Sequence, residues 1–119
     1  MMTRGARGAI RVREDTRDAV LEATDRLLRE LLQRNDLETE QLVSVIFTAT
    51  EDLTSAFPAE AARRIGLTSV PLLCAKEMSV RGSMQSVIRV LMQFHSERSL
   101  SEIEHVYLDG AEALRDDLG

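Results

Sequence analysis

A single cysteine, Cys74, rules out a disulfide within the chain and makes a reducing cytoplasm the expected compartment. Tryptophan is absent, and only one Tyr and three Phe are present, so large core-fillers are scarce. A short chain with so few aromatics builds a modest core on its own, which favours an oligomer that buries more surface. No stretch approaches the roughly 18 apolar residues needed to span a bilayer, and Met1-Met2-Thr3-Arg4-Gly5 has no signal-peptide core. His95 and His105 are ten residues apart with no Cys/His cluster, so no metal is expected. No G-x-G-x-x-G, P-loop or G-x-S-x-G motif occurs, which leaves nucleotide binding and serine hydrolysis without support. Basic residues are outnumbered, 15 against 20 acidic, for a net charge of −5. That balance argues against nucleic acid or an anionic membrane as partner, and it makes any local cluster of arginines informative.

What is present reads as one soluble globular domain over residues 1–119, with 44% hydrophobic and 29% charged residues. Arg4 to Arg13 predicts a strand whose two glycines mark a bulge or a close approach. Glu14-Asp15-Thr16 starts a helix, with Asp15 or Thr16 able to cap. Val20, Ala23, Leu27, Leu28, Leu31 and Leu32 recur at helical spacing up to Asn35-Asp36, where Asn suits a left-handed cap. Leu42 to Thr50 predicts a strand apolar on both faces, hence a central one. Pro58 to Ile65 predicts a short helix with Phe57 at its N-cap and Gly66 beyond its end. Val70 to Ala75 predicts a strand that Pro71 confines to an edge or places at its own start. Ser86 to Phe94 is the clearest strand, His105 to Leu108 a short one, and Gly110 to Arg115 a helical turn. About five strands in a mixed sheet, one long helix and two short helices make an α+β domain.

One residue breaks this pattern. On the Ser86–Phe94 strand, Ile88, Val90, Met92 and Phe94 share one face, and Val87, Arg89, Leu91 and Gln93 the other. A guanidinium between Val87 and Leu91 stays charged, so it either snorkels to water or meets an anion. Arg11 and Arg13 read as a solvated strand face. For Arg7, hemmed in by Ala6, Gly8 and Ala9, surface and site are both open. Arg7, Arg63, Cys74, Glu77, Arg89, Tyr107 and Arg115 are the polar groups that the pattern does not explain. Converging arginines suit a small molecule with several carboxylates, a glutamate can accept from its hydroxyl, and a tyrosine can donate. Neither histidine is placed as a base for a nucleophile. The residues by themselves support an anion-binding pocket.

The chain also resembles the small monofunctional chorismate mutases of the trimeric pseudo-α/β-barrel (AroH) type. The resemblance rests on Arg4-Gly5-Ala6-Arg7-Gly8-Ala9, Thr48-Ala49-Thr50-Glu51-Asp52-Leu53 and Ala56-Phe57-Pro58-Ala59. It continues through Val70-Pro71-Leu72-Leu73-Cys74-Ala75-Lys76-Glu77-Met78, Val87-Ile88-Arg89-Val90, and His105-Val106-Tyr107-Leu108 with Leu114-Arg115 after it. It implies a homotrimer with active sites between subunits, no cofactor, and conversion of chorismate to prephenate on the route to phenylalanine and tyrosine. By matched position it implies Arg89, Glu77 and Arg7 as catalytic residues. Arg89 would donate to the ether oxygen of the breaking bond, Arg7 and Tyr107 would hold the enolpyruvyl carboxylate, and Glu77 and Cys74 would meet the ring hydroxyl. Leu72 and Leu73 would line the same wall. Phe57, Ala59 and Arg63 would come from the adjacent subunit, and Leu114 and Arg115 from a C-terminal segment closing over the cleft.

Two departures from that pattern stand out. Glu60 replaces a lysine found in some members, and no proline follows Arg115. The alternative reading is a regulatory trimer on the same scaffold that binds a carboxylate metabolite without turning it over. A hydrolase or deaminase on a related barrel would need an activated water and a base, for which Glu77 is the sole candidate.

Overall fold

The computed structural model describes residues 2–117, a five-stranded mixed sheet with α1 and α2 on one face and the short C-terminal helix on the other. The strands are β1 (Met2–Arg11), β2 (Leu42–Ala49), β3 (Leu72–Lys76), β4 (Val87–Ser96) and β5 (Val106–Leu108). The helices are α1 (Arg17–Arg34), α2 (Ala59–Arg64) and α3 (Leu114–Asp117). The strand order is β3-β2-β4-β1-β5, with β4 antiparallel to both neighbours and each edge strand parallel to the strand beside it. The Leu42–Thr50 segment is therefore interior, as its apolar faces require, but the middle strand is β4.

The core lies between the sheet and α1. Ala6 and Ile10 of β1, Val45 and Phe47 of β2, and Ile88, Val90, Met92 and Phe94 of β4 face Val20, Leu27, Leu28 and Leu31 of α1. α1 packs tightly over Gly8. A Cβ there would sit 2.9 Å from Leu31 Cδ1 and 3.1 Å from Leu27 Cδ1. The glycine thus serves a close approach of the helix, and β1 pairs with β4 from Met2 to Arg11 without a bulge. Gly8→Val should destabilise the fold by about 1–3 kcal/mol through overpacking. A lowered denaturation midpoint at fixed protein concentration, with unchanged slope, checks it.

Several predicted ends move, each for a local reason. β1 stops at Arg11, and Arg13 turns outward to pair with Glu14 at 2.8 Å. Thr16 caps α1 by accepting from the Ala19 N–H at 3.2 Å. Asp15 instead accepts from the Thr54 and Ser55 main chain and the Thr54 hydroxyl, tying down the loop before α2. Hydrogen bonding from Ser55 and Thr54 holds its carboxyl below the ordinary range. At the far end of α1 the left-handed residue is Asp36, φ 52°, and not Asn35. Asn35 is buried, where its amide donates to the Leu31 and Glu104 carbonyls and accepts from the Glu104 N–H.

Pro58, already helical at φ −55°, takes the cap position predicted for Phe57, and Phe57 projects with 72% of its surface exposed. Its exposure follows from the chain entering α2 one residue later than the capping pattern suggests. Pro71 has no N–H for the ladder, so β3 begins at Leu72 and runs along the sheet edge. Ser86 adopts φ 60° and lies outside β4, fixed by its N–H and hydroxyl donating to Asp52. His105 likewise precedes β5. The final turn divides at Leu114, where a 3-10 turn over Ala111–Ala113 gives way to α3, and Gly110 supplies φ 95° ahead of both.

Candidate active site

The face of the sheet away from α1 carries the unexplained charges, and strand registry brings them into line. Ala75, Thr48, Arg89, Ala9 and Tyr107 stand side by side across all five strands. The adjacent row is Leu73, Ile46, Leu91 and Arg7. Arg89 therefore has the small side chains of Ala9 and Thr48 on either side, which leaves room above the strand for its guanidinium. Arg7 shares the face of Ala9 because alternation along β1 returns every second residue to it, and Tyr107 shares it as the cross-strand partner of Ala9.

Glu77 closes this space from beyond the end of β3, where its N–H donates to the Ala49 carbonyl at 2.9 Å. Its Oε1 accepts from the Thr48 hydroxyl at 2.6 Å and lies 3.5 Å from Arg89 Nε. Its Oε2 accepts from the Met78 N–H at 3.3 Å. The side chains of Arg89 and Glu77 are 34% and 23% exposed, so both charges are largely removed from water.

A cavity of about 220 Å³ results, lined by Arg7, Gly8, Ala9, Ile46, Thr48, Glu77, Arg89, Val90, Leu91, Tyr107 and Leu114. It holds two guanidinium groups and one carboxylate in a chain whose net charge is −5. Two buried polar atoms at this site, Arg89 Nε and the Tyr107 hydroxyl, make no hydrogen bond within the chain. Buried donors of this kind cost free energy unless they have a partner, so the arrangement is suited to receive acceptor oxygens. Leu114 is buried against Ala9 and Val87 at the margin of the cavity, and the Arg115 guanidinium lies 5.9 Å from the Tyr107 ring centre.

Other residues proposed from the sequence lie elsewhere in the same chain. Cys74 belongs to a row with Phe47, Val90, Gly8 and Val106, so its side chain, like that of Leu72, is on the α1 face. Cys74 lines a separate cavity of about 530 Å³ together with Arg17, Phe57 and Glu60. Leu73 shares the face of Arg89 but stands on the edge strand, 61% exposed. Ala59 is buried and Arg63 exposed on α2, which packs against α1 and β3. Glu60 is held by both guanidinium nitrogens of Arg17 and by Arg64 at 3.2 Å, and its carboxyl is lowered by the Arg17 hydrogen bonds.

Thr48 was not predicted as a site residue. Its signal is a hydroxyl at an alternating position of an otherwise apolar strand, level with Arg89. Among the described residues, no group of three or more His, Cys, Asp or Glu side chains is placed to hold a metal ion, and no helix is long and apolar enough to cross a membrane.

Comparison with known proteins gives one family. The family model described as chorismate mutase type I matches residues 3–118. The chain is 53% identical over 118 residues to chorismate mutase AroH of Thermus thermophilus, covering 98% of this chain and 97% of that protein. It is 40% identical over 119 residues to chorismate mutase AroH of Bacillus subtilis, covering 99% and 94%. A solved chorismate mutase structure from Clostridium thermocellum superposes with a TM-score of 0.91 at 43% identity, covering 92% of this chain and 98% of that one. With its sequence matched almost end to end and its sheet superposing on a solved member, the chain belongs to the type I chorismate mutase family.

Proposed function

We propose that the protein is a chorismate mutase, an isomerase of aromatic amino acid biosynthesis, and that the Arg89 cavity is its active site. Chorismate carries two carboxylates, a ring hydroxyl and an ether oxygen, and its rearrangement to prephenate breaks a C–O bond while forming a C–C bond in one concerted step. Such a step requires neither a base nor a nucleophile, and the cavity contains no nucleophile–base pair. It requires the dianion in its compact conformer, which is a matter of positioning. It also requires a fixed donor where negative charge grows on the ether oxygen.

The observation that carries this reading is the pair of buried donors that make no hydrogen bond within the chain, Arg89 Nε and the Tyr107 hydroxyl, at a cavity shared with Arg7 and Glu77. Arg89 donates to the ether oxygen and to a carboxylate. Arg7 and Tyr107 hold the enolpyruvyl carboxylate. Glu77, fixed by Thr48, accepts from the ring hydroxyl. Cys74 and Leu72 act through their main chain on the wall at β3, because their side chains face α1. Leu114 and Arg115 cover the mouth.

The working form is a homotrimer with the site shared between chains. A cavity of about 220 Å³ is small beside the roughly 300–1,000 Å³ of ordinary small-molecule sites. Exposed Leu73 and Leu91 on the same face offer apolar surface for a neighbour. Phe57, Ala59 and Arg63 then complete the cleft of the adjacent subunit. Incubating purified protein with chorismate and following its loss by absorbance tests the reading. Loss with stoichiometric prephenate supports it, whereas saturable binding without loss would assign the scaffold to metabolite sensing.

A further inference from the structure

The Arg7 N–H points at the ring of His105, with Nδ1 2.9 Å away. Since an amide N–H can only donate, Nδ1 carries a lone pair, the ring proton resides on Nε2, and the imidazole is neutral. The position explains the contact. β5 pairs in parallel with β1 only from Gly8 and Val106 onward, so the ladder gives Arg7 no partner on that side. The ring of the residue just before β5 accepts in place of a strand carbonyl.

We infer that His105 is a positioning residue for Arg7, its neutral ring fixing the main chain from which the Arg7 guanidinium reaches the cavity. The inference rests on the proposed role of Arg7 in holding a substrate carboxylate. The surroundings of the ring are strongly one-sided. Arg7 faces it from β1 and Arg115 from α3, while Glu104 and the Tyr107 phenol are the other titratable groups around the same small cavity. Partial burial, then Arg7 and Arg115, push the imidazole below its usual 6.5, and Glu104 opposes them. Protonation would set a ring N–H against the Arg7 N–H and add a third positive charge beside two guanidinium groups. The bond to the main chain is then lost, and Arg7 drifts from the cavity.

Because Arg7 acts on a carboxylate that is unchanged during the reaction, the effect falls mainly on KM. The sign follows from the depressed pKa. Activity is full above the usual imidazole range and falls as pH drops through the lower pKa of the folded-state ring. Folded stability declines at higher pH, between the usual imidazole pKa of 6.5 and the lower folded-state one, since the unfolded chain takes up the proton first.

His105→Asn places an amide oxygen near the position of Nδ1 and does not titrate. It should keep neutral-pH activity and lose the acid limb of the kcat/KM profile. His105→Ala should raise KM about two- to tenfold where the wild-type ring is neutral, the range expected for one lost hydrogen bond, and show no acid limb of its own. NMR of the wild-type protein, with a His95→Asn variant to assign the rings, should show the Arg7 amide proton shifting with the same midpoint as the His105 ring. An Arg7 amide indifferent to that titration, or an acid limb that persists in His105→Asn, overturns the inference. A protein that does not turn over chorismate at neutral pH overturns the proposed function instead, and the NMR titration still tests the ring–amide bond.

Discussion

Arg89→Ala should lower kcat for chorismate by about two to three orders of magnitude, the usual cost of deleting one donor to a developing oxyanion. The substitution is clean because the side chain stands over small neighbours, Ala9 and Thr48, on the face away from the α1 core. Removing it opens no core cavity, so circular dichroism should stay near wild type, while the unfolding midpoint falls modestly because Glu77 loses its counter-ion. Arg89→Lys is the sharper variant. It keeps the charge but has no atom equivalent to Nε, the guanidinium nitrogen that is buried at the site without a hydrogen bond. If charge alone mattered, lysine would restore most of the rate. If donor geometry matters, lysine should recover less than tenfold over alanine. Single-turnover rates at saturating chorismate decide between them, and a near wild-type rate in either folded variant removes Arg89 from the centre of the mechanism.

Glu77 complicates this substitution in an informative way. Within the chain it is the counter-ion of Arg89, 3.5 Å from Nε, and the Thr48 hydroxyl holds it there. A substrate hydroxyl and a substrate anion can enter together, the first meeting Glu77 and the second Arg89. The pair therefore keeps both charges compensated before binding, which limits the penalty of holding an arginine and a glutamate this far out of water.

The candidate site was legible where a single strand's alternation was enough. Arg89 betrayed itself by standing between Val87 and Leu91, and its face followed from period two. Arg7 and Tyr107 were harder, because joining them to Arg89 needs the pairing of three strands. Only the register Tyr107–Ala9–Arg89 puts Tyr107 in the row of Arg89 and Arg7 in the row beside it. Cys74 shows the limit. A slip of one residue moves a strand's side chains to the opposite face, and nothing in Val70–Ala75 fixes the parallel register of an edge strand. Pairing with Phe47 turned its side chain toward α1.

The fold was legible in its elements and less so in their ends. Apolar periodicity gave the α+β class, five strands and the long helix, but caps depend on contacts distant in sequence. Asp15 could have capped α1, yet it is drawn away by Thr54 and Ser55, which lie 39 and 40 residues further on. Asn35 suits a left-handed cap in isolation, yet the carbonyl and N–H of Glu104 recruit it to the interior. His105 read as a polar residue at a strand start, and its bond to Arg7 spans 98 residues.

Chains mixed from an Arg7→Ala parent and an Arg63→Ala parent should regain activity that neither parent has. Within one chain Arg63 cannot serve the Arg7 cavity, because α2 packs with α1 on the opposite side of the sheet. If both residues serve one cleft, as proposed, that cleft takes Arg7 from one subunit and Arg63 from its neighbour. With random assembly of equal amounts, about a quarter of the clefts in a cyclic trimer unite the two intact residues, and another quarter lack both. Activity should therefore climb from the parents' level toward roughly a quarter of wild type, and vary with mixing ratio as the product of the two fractions. Native mass spectrometry of the mixture verifies that subunits have exchanged. A linear dependence on either parent, or no recovery after verified exchange, would mean that each chain carries its whole site. Recovery that follows the product of fractions requires a site between subunits, and with it an oligomer as the smallest active unit.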